Sequence, residues 1–127
     1  MTLLITCLFI ALLLPYLAKI PVAIAMHQLG GYDNAHPRAQ QAQLTGFGAR
    51  ALAAHQNSFE SLIIFTPAIL LAIATQHTGS SIQYLAITHV VSRIIYQLLY
   101  MINISILRSI AWGIATMASF AIVWQCF

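Results

Sequence analysis

Between Thr2 and Met26 the only charged side chain is Lys19. An apolar run of that length crosses a hydrocarbon layer of ~30 Å as a helix, since about 20 residues suffice. Two more such runs follow, at about 82–102 and 107–125. A fourth, about 48–75, becomes long enough where Glu60 lies near its end. Backbone polar groups in lipid must be satisfied within the protein, so runs of this kind form helices. Charged residues make up 6% of the chain, against roughly 25% in soluble domains. The expectation is an all-α integral membrane protein, a four-helix bundle forming a single domain of 127 residues. No basic run interleaved with aromatics is present, and nucleic acid is not expected as a partner.

Ala23-Ile24-Ala25 is similar to a signal-peptide cleavage site. No positive charge precedes the run, however, and further spans follow, so a retained first helix at about 2–26 is expected. Pro15 and Pro21 are tolerable there beside neighbouring helices. Lys19 can reach the interface along its aliphatic stem. From His27 the composition changes. Gly30-Gly31 and Asp33-Asn34 are turn signals, and Pro37 holds His36 extended. The segment 27–47 therefore reads as the one sizeable loop, with His27 and His36 solvated. The second helix starts between Ala42 and Arg50 and projects its first turns beyond the hydrocarbon, with Pro67 as a kink site. His77 to Ser81 is a tight reversal, and Asn103 to Leu107 is another. Lys19, Arg38, Arg50 and Arg108 fall in or beside the first and third connections. The positive-inside rule puts those in the cytoplasm and both termini outside. Cys7 and Cys126 fall toward one side of the membrane, where a disulfide is geometrically conceivable and two buried, inert thiols are the expectation.

One stretch departs from a plain membrane helix. In Arg50–Pro67, Asn57 falls about 20° and Glu60 about 80° from Arg50 at ~100° per residue. Arg50, Ala53, Asn57, Glu60 and Ile64 therefore share a face, and an intramembrane carboxylate there is a functional candidate. Arg93, Tyr96 and Tyr100, at i, i+3 and i+7, form a matching face on the third helix. Arg93 lies midway along its helix and needs an anion, with Glu60 the obvious one. Together with Arg50, Asn57 and Arg108 these residues form a cation-rich set at the cytoplasmic end. Surplus guanidinium in low dielectric receives carboxylates or a thiolate, and lowers a thiol pKa. Hydroxyls of Ser109, Tyr96 or Tyr100 can donate to the same sulfur. The alternative left open is a Glu–Arg pair that locks helices together while tyrosines fill space.

Arg50 through Phe65, read as R-x4-H-x-N-x2-E-x4-F, resembles the second-helix motif of the MAPEG superfamily, the membrane-associated proteins of eicosanoid and glutathione metabolism. Arg93-x2-Tyr96-x3-Tyr100 and Arg108-Ser109 resemble its third- and fourth-helix patterns. Tyr32 to Arg38, YDNAHPR, is similar to small bacterial members, which implies an inner-membrane location. The resemblance implies a homotrimer with glutathione bound as co-substrate between subunits at the cytoplasmic face. Asn57, Glu60, Arg93 and Tyr100 would hold the tripeptide, with Arg50 and Tyr96 beside them, while Arg108 and Ser109 would face its sulfur as the catalytic pair. The expected activity is that of a glutathione transferase or glutathione peroxidase acting on a lipophilic electrophile drawn from membrane lipid. The chain departs from the pattern at Ala53 and Gln56, where glutathione-using members carry arginines, and at Trp112, where they carry tyrosine. The connection before Arg108 is one residue shorter. These departures favour the second expectation, a non-catalytic membrane protein binding a lipid or protein partner. A channel subunit ranks last, because its polar residues should line a path through the bilayer.

Overall fold

A computed structural model describes residues 1–127. Helices run α1 (Thr2–His27), α2 (Pro37–Gln41), α3 (Gly46–Ala74), α4 (Ser80–Met101) and α5 (Ser105–Trp124), with no strand. Four of the five have 20 residues or more. Three of these, α1, α3 and α5, are long and apolar enough to cross a membrane. The helix expected at about 48–75 is among the three, whereas the one expected at about 82–102 is not. The Leu62–Ala74 half of α3 is aliphatic enough to outweigh Glu60, whereas α4 spreads Gln83, His89, Arg93 and Gln97 along its length. Those α4 polar groups turn inward, and His89, Ser92, Arg93 and Tyr96 are all buried.

The buried face of α1 repeats every three or four residues through Leu4, Cys7, Ala11, Pro15, Ala18, Val22 and Ala25. That spacing is the seam of closely packed, nearly antiparallel helices. The facing surface of α3 is equally small, with Gly48, Ala51, Ala54, Ala68 and Ala72. Lipid gives helices no hydrophobic reason to associate, so close backbone approach along small residues supplies the dispersion energy instead. Helix α1 packs mainly on α3, and α4 packs mainly on α5. Pro15, Pro21 and Pro67 all lie inside continuous helix. The reversals after α3 and α4 are made by Gln76 and Asn103 in left-handed backbone, at φ 62° and 63°.

The tightest approach is at Gly48. A Cβ there would sit 3.0 Å from the Cβ of Ala25 and 3.0 Å from a methyl of Leu44. Gly48→Ala is expected to destabilise, because overpacking costs about 1–3 kcal/mol against about 0.5–1 kcal/mol of helix propensity gained. Thermal unfolding in detergent checks this, and a raised midpoint would mean that α1 and α3 do not approach so closely.

The loop expected at 27–47 contains α2, started by Pro37 after His36. Gln40 is buried and ties the segment down. Its Nε2 donates to the carbonyls of Met26 and Gly31, and its Oε1 accepts from the backbone N–H of Asp33. Asp33 in turn accepts from the N–H groups of Ala35 and His36, which fixes the turn before α2. This connection is packed, not free.

Two apolar clusters hold the bundle. One gathers Leu4, Cys7, Phe65, Ile69, Ile82, Val90 and Ile122. The other gathers Val22, Ala25, Met26, Leu44 and Ala51 near the opposite end. Cys7 and Cys126 are free thiols. Large apolar side chains such as Ile63, Leu98, Ile106 and Met117 are exposed all round, the outside of a protein solvated by lipid or by other chains.

Candidate functional site

Between the two apolar clusters, α3 and α4 are joined by polar contacts at one-turn intervals. Gln97 Nε2 donates to the Ala54 carbonyl at 3.1 Å and to the Ser58 hydroxyl, which itself donates to Ala54. One turn further along α3, Arg93 donates to the Asn57 carbonyl at 3.1 Å and to Asn57 Oδ1 at 2.8 Å. A turn beyond that, the Ser61 hydroxyl meets His89 Nε2 at 3.2 Å. Each step advances one turn on α3 and retreats one on α4, as an antiparallel pair requires.

The guanidinium of Arg93 is therefore held at a fixed height, with the residue only 2% exposed. It does not pair directly with Glu60, which corrects the simplest reading of the sequence. Asn57 stands between them. Its amide group accepts from Arg93 through Oδ1 and donates through Nδ2 to Glu60 Oε2 at 2.6 Å. An amide offers one acceptor and two donors along one plane, so it can join a cation to a carboxylate in series. Glu60 itself remains exposed at the rim.

On its other side Arg93 lies over the ring of Tyr96, 4.2 Å from the centroid. Tyr96 meets Tyr100 edge to face at 5.5 Å, and the guanidinium of Arg108 covers Tyr100 at 4.2 Å. Glu60, Asn57, Arg93, Tyr96, Tyr100 and Arg108 thus form one unbroken row across α3, α4 and α5. Cation–aromatic contacts are worth about 0.5–2 kcal/mol each, and they position a guanidinium without neutralising it. The one acid–base contact within ion-pair distance in the chain is Asp33 with His36, remote from the row in sequence and lying in the 27–47 connection. Neither arginine of the row has a carboxylate of its own chain against it.

Two expected members lie off the row. Arg50 shares the α3 face with Asn57 but sits about 10 Å further along the axis at 1.5 Å per residue. Its Nε is buried without a hydrogen-bond partner. The hydroxyl of Ser109 donates to the Ser105 carbonyl of its own helix. It borders a shallow depression with Ser105, Ile106 and Ile110. Adjacent residues on a helix point about 100° apart, so Ser109 cannot follow Arg108 onto Tyr100.

Below the row lies a cavity of about 230 Å³, lined by Glu60, Ser61, Ile64, His89, Arg93, Trp112, Thr116 and Ser119. Its inner polar residues were not anticipated. His89 is buried and stacked flat on Phe65 at 3.9 Å. Its Nδ1 lies 2.9 Å from the Ala115 carbonyl and 2.9 Å from the Ser119 hydroxyl. One imidazole thereby links α3, α4 and α5. The signal available in the sequence was spacing, since His89, Arg93, Tyr96 and Tyr100 fall at i, i+4, i+7 and i+11. The polar set does not stop at one end of the bundle, as the sequence suggested, but reaches inward to His89.

The fold and the row define a class, a helical membrane-protein bundle with an arginine–tyrosine site between its helices. Comparison with protein families then places it. The chain matches the MAPEG family over residues 3–127 and belongs to that family. No individual curated protein and no solved structure gives a significant match.

Proposed function

We propose that this chain is a glutathione-dependent membrane enzyme that binds glutathione, or a similar acidic thiol, along the Asn57–Arg108 row. The reaction is transfer of the thiol to a lipophilic electrophile or reduction of a lipid hydroperoxide. The observation that carries this reading is that Arg93 and Arg108 are both fixed on tyrosine rings with no carboxylate within ion-pair distance of either. Fixed guanidinium groups without a direct ion-pair partner in low dielectric favour carboxylates and thiolate over neutral ligands. A thiolate is the reactive form, so holding one raises the nucleophile available at neutral pH. Asn57 and Glu60 offer the amide and carboxylate partners that a peptide backbone and an ammonium group require. Four membrane spans, a homotrimer with the thiol between subunits, and an inner-membrane setting with both termini outside accompany this reading through family membership.

Ser109 has a lesser role here than Arg108, because its hydroxyl is spent within its own helix. Conjugation of glutathione to 1-chloro-2,4-dinitrobenzene is expected to fall roughly 100-fold in Arg108→Ala, as when one electrostatic stabiliser of a reacting anion is removed. Ser109→Ala is expected to stay within a few-fold of wild type. Equal losses in the two variants would mean that Ser109 turns toward the sulfur in the assembled protein.

A second reading is a non-catalytic MAPEG protein that binds a lipid or protein partner. Ala53 and Gln56 favour it, since no further cation on α3 supports the row. Saturable binding of glutathione without turnover of any electrophile would select it. Absence of saturable heat at millimolar glutathione would remove the enzyme reading.

A further inference from the structure

The inner end of the cavity beneath Arg93 presents an unusual balance of donors and acceptors. A carbonyl oxygen can only accept, so the 2.9 Å contact with Ala115 places the proton of His89 on Nδ1. In the neutral ring Nε2 is then an acceptor, and the single proton of Ser61 goes to it across 3.2 Å. The oxygen of Ser61 is left with lone pairs alone. Ser119 is similarly committed, receiving Nδ1–H and donating to the Ala115 carbonyl at 3.2 Å. Thr116, on the same wall, makes no hydrogen bond within the chain, so its hydroxyl is free to donate.

We propose that this inner end binds the head of a hydroxyl-bearing lipophile, an aliphatic alcohol. One O–H donates to the Ser61 oxygen, and the head oxygen accepts from Thr116. Ketones, esters and aldehydes only accept, and they leave Ser61 unmet. Charge points the same way. Arg93 disfavours a cationic head in this cavity, and a carboxylate head only accepts and so also leaves Ser61 unmet. Ile64 and Trp112 supply the apolar wall for the first carbons. A volume of about 230 Å³ corresponds to roughly seven or eight waters at about 30 Å³ each. That accommodates a head and several methylenes, with the rest of the chain in the bilayer. The site goes beyond the glutathione reading and is tested without any thiol.

Trp112 borders the cavity, and the chain has only one other tryptophan, Trp124. In a Trp124→Phe background, tryptophan emission therefore reports this site. Titration of the protein in lipid nanodiscs with 1-octanol is expected to give a saturable change in emission. With 2-octanone, matched in chain length, the midpoint is expected at roughly five-fold higher concentration, the worth of one hydrogen bond. Thr116→Val should weaken octanol binding by a similar factor, while Thr116→Ser retains it. Identical titrations with alcohol and ketone, a Thr116→Val protein that behaves like its parent, or an unsaturating drift that persists in Trp112→Phe would each overturn the proposal. None of these results bears on the glutathione titration. A protein that fails to bind glutathione can still pass this test.

Discussion

Arg93→Ala is expected to abolish saturable glutathione binding and to lower thermal stability as well. The arginine donates twice to Asn57 and lies on Tyr96, so its removal acts on α3 and α4 together. Hydrogen bonds from a charged donor contribute about 1.5–3 kcal/mol each, and the aromatic contact adds about 0.5–2 kcal/mol. Some of this is offset because the cation no longer has to be desolvated. A net loss of about 3 kcal/mol of stability is a reasonable size. Binding suffers more, because Asn57 then loses the partner that orients its amide toward Glu60. Arg93→Lys separates the two effects. Lysine keeps the charge but is a point donor on a flexible stem, unable to span Asn57 and cover Tyr96 in one plane. It should recover part of the binding and little of the interhelical join. Isothermal titration with glutathione on the folded protein, alongside thermal unfolding, measures both quantities. Unchanged affinity in folded Arg93→Ala would move the anion site elsewhere.

Much of the row was visible before any coordinates. Arg93, Tyr96 and Tyr100 fall on one face by spacing alone, and a guanidinium in the middle of a largely apolar helix must find polar partners. The Asn57–Glu60 pair is legible in the same way, being three residues apart on α3. Sequence could not show the order of contacts across helices. It suggested a direct Glu60–Arg93 pair, whereas Asn57 lies between them, because the relative height of α3 and α4 is set by packing of Ala54, Ser58, Ser61 and Phe65 against Gln97 and His89. Within one chain Arg108 joins the row and Ser109 does not, for a simpler reason. Neighbours in sequence diverge by about 100° on a helix.

The segment 27–47 shows a different limit. Its turn residues announced a connection, and Pro37 announced an extended residue before it. A buried Gln40 could not be inferred, since glutamine is mostly exposed and nothing local distinguishes Gln40 from Gln41 or Gln43. What buries it is the supply of carbonyl acceptors at Met26, where α1 ends, and at Gly31. Side-chain demand from one segment was met by backbone supply from another, and only the fold brings the two together. His89 was missed for a related reason. In an apolar run it resembles any satisfied core residue until Ser61, Ala115 and Ser119 are seen around it.

His89→Leu is expected to be the most destabilising polar-to-apolar change of similar size in the chain, at about 3 kcal/mol by the penalty for stranding buried partners. Leucine removes the donor to Ala115, the acceptor of Ser61 and the flat contact with Phe65, and it leaves Ser61 and Ser119 facing an aliphatic group. Ser119→Ala alone should cost only about 1 kcal/mol, since the imidazole keeps the Ala115 carbonyl satisfied. The informative comparison is the triple change His89→Leu, Ser61→Ala, Ser119→Ala. Replacing every member of a polar cluster strands far less, and such replacements are often near neutral. The triple variant is therefore expected to be more stable than His89→Leu, despite carrying two further substitutions. Equilibrium unfolding in mixed micelles reads the difference directly. A triple variant less stable than the single one would show that packing against Phe65, and not hydrogen bonding, is what His89 contributes to the joint between α3, α4 and α5.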